Sequence, residues 1–201
     1  MNARRFVGGR VWIAVGMFSV TAAQCPSTGA RNDTTHALPV PSARTAEKAP
    51  RGTLEPTERA ATGVTVPPLP VLTSVTLSDS SASGSARVTF QFDGGALPGY
   101  RVEYLPGPAI ACGSGDSMMV RGAARLRVRF TPAAAHRDDG GSTIVERDRV
   151  GDRGGVVHLL QSCDFEGQVE WVLGVGARTP YRASELTSPA RLVIDLDRLP
   201  R

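Results

Sequence analysis

The sequence predicts an all-β domain, an antiparallel sandwich or barrel, placed behind an export leader and a linker. Three observations predict it. From Val88 onward, apolar residues recur with period two rather than 3.6. Gly, Pro and Asp punctuate those runs at short intervals. No segment has the spacing of an amphipathic helix.

The leader comes first. Arg4, Arg5 and Arg10 form a basic start, and the stretch 11–20 is mostly apolar. Ten residues are half of the roughly 20 that a bilayer-spanning helix needs, so residues 1–25 read as a signal peptide rather than an anchor. Two cleavage modes compete. Thr21, Ala22 and Ala23 suit an ordinary signal peptidase. Ala22-Ala23-Gln24-Cys25 instead resembles a lipobox, although Gln24 stands where Gly, Ala or Ser is usual, and acylation would fall on Cys25. Arg4-Arg5 also matches the start of a twin-arginine signal, but an ordinary basic start is the simpler reading. No later stretch is long and apolar enough to span a membrane, so the attachment expected is through an acylated Cys25.

Residues 26–70 follow. They are mainly Ala, Pro, Thr and Ser with scattered charge, and their few apolar residues have no period. Such a segment buries too little apolar area to offset its ordering entropy, so a disordered linker is expected. The folded domain is expected over residues 71–201.

Within that domain the strands read in order. Val88, Phe90 and Phe92 alternate with polar residues, and so do Tyr100, Val102 and Tyr104. Leu126, Val128 and Phe130 alternate with Arg125, Arg127 and Arg129. Val156-Val157-His158-Leu159-Leu160 is a continuous apolar run, as expected of a central strand. Val169, Trp171 and Leu173 follow a break at Gly167, and Leu192, Ile194 and Leu196 close the series. The connection over 132–155 is unusually long and rich in Arg, Asp and Gly. Loops of that length are functional or disordered. Disorder is expected here, with a small hairpin around Ser142-Thr143-Ile144-Val145.

Charge narrows the function. The chain nets +4, but from residue 71 it has 15 Arg and no Lys against 15 Asp plus Glu, so the domain is neutral. A nucleic-acid partner would require a basic face, and none is expected. Arg in place of Lys, with abundant Ala, Gly and Pro, indicates a GC-rich genome.

Several segments in order then become recognisable: Phe90-Gln91-Phe92-Asp93-Gly94-Gly95, Pro98-Gly99-Tyr100-Arg101-Val102-Glu103-Tyr104, Gly113-Ser114-Gly115 and Gly122-Ala123-Ala124-Arg125-Leu126-Arg127-Val128. Pro132-Ala133-Ala134-Ala135-His136, Asp164-Phe165-Glu166-Gly167 and Pro189-Ala190-Arg191-Leu192-Val193-Ile194-Asp195 complete the pattern. Together they resemble the AMIN-like domain of exported proteins and lipoproteins in high-GC Gram-positive bacteria, over nearly the whole domain. The resemblance implies a β-sandwich and a role at the cell envelope, where related AMIN domains contact peptidoglycan. It implies no catalytic residues. Against that family pattern, Cys112 and Cys163 are departures. In an exported chain two such departures are expected to pair as a disulfide, the alternatives being two free thiols or a cysteine-linked dimer. No Cys-x-x-Cys is present, and zinc-ligand spacing is missing, so neither a redox centre nor a metal site is expected.

Candidate site residues are few. Gly113-Ser114-Gly115-Asp116-Ser117 is not a nucleophile elbow and reads as a turn. Arg125, Arg127 and Arg129 share one strand face, with Arg87 and Arg101 expected beside them. They suit the carboxylates or phosphates of wall polymers; the plainer reading is a solvated face paired with Glu103 or Glu170. Tyr100, Tyr104 and Trp171 are expected in the core rather than on a sugar. His136, near Asp138 and Asp139, is a candidate ligand or general-base residue, and the plainer reading is a loop cap. The function expected is an exported, non-enzymatic envelope module without cofactor, lipid-anchored on the outer face of the membrane or secreted to the cell wall. It would bind cell-wall polymer, peptidoglycan above all, or an envelope protein. The alternative is an enzyme or enzyme accessory acting on wall polymers, with residues 132–155 at its site.

Overall fold

In the computed structural model the described residues are 52–197, apart from 65, 81–84 and 94. The leader, Cys25 and linker residues 26–51 lie outside them. Twelve strands follow in chain order: β1 Thr57–Arg59, β2 Leu72–Asp79, β3 Ala86–Phe92, β4 Gly99–Tyr104, β5 Ala109–Ile110 and β6 Ser117–Met118, then β7 Ala124–Thr131, β8 Asp148–Arg153, β9 Val156–Phe165, β10 Gln168–Val175, β11 Tyr181–Leu186 and β12 Ala190–Leu196. No helix occurs among the described residues.

The strands form two main antiparallel sheets. One has the order β1-β4-β7-β10-β9-β8 and the other β11-β12-β3-β2; β5 and β6 make a separate short hairpin. The alternation in sequence becomes alternation in space. Leu126, Val128 and Phe130 on β7 are fully buried, as are Val88 and Phe90 on β3. Both sheets contribute to one core. At its centre Phe90 and Phe92 of the smaller sheet lie 5.2 and 4.8 Å from Phe130 of the larger one, and Phe90 lies 6.3 Å from Trp171. Tilted and edge contacts of this kind add to the area these rings bury. The expected sandwich and the core positions of Tyr100 and Trp171 agree with the structure. Tyr104 is only partly buried, and its hydroxyl donates to the Thr179 carbonyl at 2.7 Å.

Two expectations are corrected. The domain starts earlier than residue 71, because β1 pairs with β4 in register Thr57↔Val102 to Arg59↔Tyr100. Thr53 also exchanges backbone hydrogen bonds with Tyr181 at 2.8 and 2.9 Å. The fully buried Tyr181 sends its hydroxyl to the Glu55 and Val102 carbonyls at 2.7 and 2.8 Å. The anchoring combines backbone pairing with the Arg59–Glu185 and Glu58–Arg101 ion pairs, at 2.8 and 2.5 Å, so a polar, Pro-rich segment is held with little apolar burial of its own.

The connection over 132–155 is likewise ordered. Ala133, Ala134 and Ala135 are buried, and Ala134 hydrogen-bonds to Pro70 and Leu72 on either side. Ile144 reaches the main core. β8 lies inside the segment, pairs with β9 and forms an edge of the larger sheet. The expected hairpin at 142–145 does not form; the turn closes earlier, at the His136↔Ser142 bridge. Its Asp and Gly residues make turns and a charged sheet edge rather than disorder.

Candidate functional site

The outer face of the larger sheet carries the arginines. On β7, Arg127 and Arg129 point away from the buried Leu126, Val128 and Phe130. Across the neighbouring strands lie Arg101 and Glu103 on β4 and Glu170 on β10. Arg101 bonds Glu58 at 2.5 Å and Glu103 at 2.9 Å, Arg127 bonds Glu103 and contacts Glu170, and Arg129 bonds Glu170 at 3.0 Å. The result is a ladder of alternating charge across four strands. Glu170, 5 % exposed, also accepts the Ser162 hydroxyl at 2.8 Å. Arg125 has a buried Nε without a hydrogen-bond partner. Arg87 is not beside this group; it sits on the smaller sheet, held by Asp195 through two bonds of 2.7 and 2.9 Å.

Within the ladder, the Arg101 guanidinium and then Arg127 hold the Glu103 carboxyl down to about 2, against the upward push of burial. A carboxyl lowered on folding stabilises fully above its ordinary value near 4.5, and that contribution drains away as pH falls toward 2. Replacing Glu103 with Gln is therefore expected to flatten the acid limb between those two pH values. Melting temperatures of both proteins across that range check it; parallel curves would contradict the assignment.

A strap made of residues 105–122 crosses the same outer face. It contains the β5–β6 hairpin, and its Ala109 and Val120 pack on Leu160 of β9 and Val172 of β10 as a small second core. Three features fasten it. Cys112 and Cys163 form a disulfide, and the Cys112 N–H donates to the Ser162 carbonyl at 3.2 Å. The Arg121 N–H donates to His158 Nδ1 at 3.1 Å. His158 therefore carries its proton on Nε2, which faces Asp148 Oδ1 at 2.7 Å. Finally, the strap passes directly over Gly174, where a Cβ would fall 1.8 Å from the Arg121 carbonyl oxygen.

Between the strap tip and the segment before β8 lies an open cleft of about 720 Å³. Its floor is residues 160–164 of β9, and its walls include Cys112 on one side and His136, Ser142 and Arg147 on the other. A register shift opposite Glu170 and Trp171 makes Ser162 the extra residue of a bulge in this floor. Bulges re-aim side chains and are common beside binding sites. His136 Nδ1 meets Asp164 Oδ1 at 2.9 Å, and that oxygen also accepts the Ala135 N–H at 2.9 Å. His136 thus both caps the connection and, with its side chain 42 % exposed, presents a ring to the cleft. Neither Asp138 nor Asp139 lines it.

Two cleft residues were not singled out from the sequence. Arg147 is exposed and has no ion-pair partner among the described residues. The Gln161 side chain is buried, and neither end of its carboxamide is hydrogen-bonded. The sequence signals near this cleft were the cysteine pair and His136, all three of which line it. Arg127 and Arg129 line a smaller recess of about 210 Å³ on the same face, which also reaches Cys112. Among the described residues, no group of three or more His, Cys, Asp or Glu side chains is placed to hold a metal ion.

No curated protein and no solved structure matches the chain. The family model for the AMIN-like domain does match, over residues 70–198, which span both sheets from β2 to β12, the strap and every wall of the cleft, and the chain therefore belongs to the AMIN-like domain family.

Proposed function

We propose that the chain is an exported cell-envelope module, without catalytic activity of its own, that binds peptidoglycan or an envelope protein through the cleft beside the strap. Family membership supports an envelope role. The observation that carries the binding reading is the contrast between two parts of one face. The arginine ladder is satisfied by its own glutamates, whereas the cleft is lined by the exposed Arg147, which has no ion-pair partner among the described residues, and by the half-open ring of His136. Polar groups left unpaired in a concave site are what a ligand completes. The proposed setting is a high-GC Gram-positive envelope, with the domain acylated at Cys25 or released to the wall. Co-sedimentation of the purified chain with peptidoglycan sacculi at low salt is expected to retain it. Loss of all retention would overturn wall binding and leave an envelope protein as the partner.

One observation favours a second reading. A histidine oriented by a carboxylate and open to a cleft is the geometry of a general base. If the domain acts on wall polymers, sacculi incubated with it release soluble fragments, and His136→Ala abolishes the release without lowering the melting temperature. Sacculi that stay intact would remove the support for catalysis.

A further inference from the structure

We infer that His158 is a proton-sensitive latch for the strap, closed at neutral pH and opened by acid. The inference rests on the fold alone and goes beyond the binding reading. His158 Nδ1 accepts the Arg121 N–H at 3.1 Å, and Nε2 donates to Asp148 Oδ1 at 2.7 Å. Both ring nitrogens are committed, one as acceptor and one as donor, which is the state of a neutral imidazole. A second proton can enter only at Nδ1. There it would point at the Arg121 N–H, donor against donor, and the strap backbone would have to move off. Protonation of the ring and docking of the strap therefore compete for one nitrogen.

The surroundings of the ring make that competition direct. Its side chain is 6 % exposed, and Nδ1 faces the strap rather than solvent. On β8 the ring meets Asp148 and lies opposite Val150. On β10 it lies opposite Gly174, which has no charge, and Arg125 of β7 stands beyond that glycine. The strap presents the Arg121 backbone, with its side chain exposed. The Asp148 carboxylate favours a charged ring and the two arginines oppose it. These groups set the pH at which the latch opens; the nitrogen shared with Arg121 makes opening depend on pH at all. The released strap binds one proton more than the docked strap, so docking is complete at high pH and is lost as pH falls.

The part that moves is short. Cys112 holds the strap tip through the disulfide, and the Ala123 N–H, bonded to the Val175 carbonyl at 2.9 Å, holds the far end. Acid thus frees residues 118–122. That limb carries Val120, which packs on Leu160 and Val172, and Met118, which lines the cleft. Its release uncovers apolar surface on β9 and β10 and takes one residue from the cleft wall, so the shape of the cleft becomes dependent on pH.

The test is amide hydrogen exchange at Arg121 in the full chain, read by NMR and corrected for the intrinsic pH dependence of exchange. The range is about pH 8 to about pH 5, in which an ordinary histidine changes charge. The acid loss expected of the Glu103 ladder lies lower, between 4.5 and about 2, so the two do not overlap. Arg121 protection is expected to fall at least tenfold, with a limiting slope of about tenfold per pH unit, as one proton taken up per opening requires. Leu173, in the main core on β10, should keep its protection. The His158 ring, followed through its Cε1–H, should titrate together with the loss at Arg121. His158→Asn supplies an oxygen acceptor near the place of Nδ1 and takes up no proton, so its Arg121 protection should stay flat. Asp148→Asn should move the fall to lower pH. Flat protection in the parent, or a ring that titrates while Arg121 stays protected, would overturn the inference without any variant. So would a fall that persists in His158→Asn or that Asp148→Asn leaves in place.

Discussion

Removing the Cys112–Cys163 disulfide is expected to lower the stability of the domain by about 4 kcal/mol, the chain-entropy value for closing a loop of this length. The sequence separation of 51 is large, and the loop it closes contains the second half of the strap, all of β7 and the ordered connection with β8. At a few degrees per kcal/mol for a domain of this size, the melting temperature should fall by roughly 10 °C or more. The effect is local in structure as well as global in energy. Without the crosslink, the strap tip keeps only the Cys112 N–H to Ser162 bond, and the second core of Ala109, Val120, Leu160 and Val172 is small. The tip should then fray, and the cleft lose one wall. The measurement is melting of the double variant Cys112→Ala/Cys163→Ala against the parent, with limited proteolysis over residues 105–122. Intact mass after alkylation, with and without reductant, tests the bond itself. Two alkylatable thiols in the unreduced domain, or a double variant as stable and protease-resistant as the parent, would refute the role assigned to the crosslink.

What the sequence revealed, and what it hid, follows from how each element is held. β3 and β7 bury one face and leave the other partly open, and β4 does so over its second half; β10 and β12 are almost wholly buried but keep polar Glu170, Arg191 and Asp195 between their core residues, so the period of two is plain in all five. β9 lies between β10 and β8 with nearly all of its residues buried, which is why it reads as a continuous apolar run. Four other strands do not display the period. β2 changes register at Thr73, so Leu72, Val75 and Leu77 fall out of a strict alternation. β11 and β8 are sheet edges, where one side chain such as Tyr181 or a backbone ladder is enough. β1 is three polar residues carried by hydrogen bonds that no side-chain pattern encodes.

The site divides in the same way. Alternation placed Arg127 and Arg129 on one face, and Glu103 and Glu170 were visible as their partners. Arg147 and Gln161 were hidden because nothing in their neighbourhood of sequence is distinctive. Only three-dimensional placement shows that Arg147 stands at the cleft without an ion-pair partner among the described residues, and that Gln161 has its unpaired carboxamide on the core face, opposite Trp171.

The other fastening of the strap should prove as consequential as the disulfide. Gly174 sits on β10 between Arg125 of β7 and His158 of β9, in the middle of the larger sheet. The strap backbone crosses over it so closely that an added Cβ would lie 1.8 Å from the Arg121 carbonyl oxygen and 2.9 Å from Val120 Cγ1. A side-chain tip can swing aside; a backbone carbonyl cannot unless the strap lifts. Gly122, with φ of +113°, makes the bend that follows, and its own Cβ would meet the Val175 backbone at 2.7 Å, so the chain has no alternative route there. Lifting it breaks the Arg121 N–H to His158 bond and withdraws Val120 from Leu160 and Val172. Gly174→Ala is thus expected to cost about 3 kcal/mol or more, the upper end for an overpacked site, although Ala is otherwise a milder strand residue than Gly. The disulfide should remain closed, so the strap would be held at Cys112 and loose at Arg121. Trypsin reports that state directly: cleavage after Arg121 should become rapid in the variant and stay slow in the parent, alongside a lower melting temperature. A Gly174→Ala protein that melts with the parent and resists trypsin at Arg121 would mean that the strap does not rest on β10 as described, and the wall it gives the cleft would have to be redrawn.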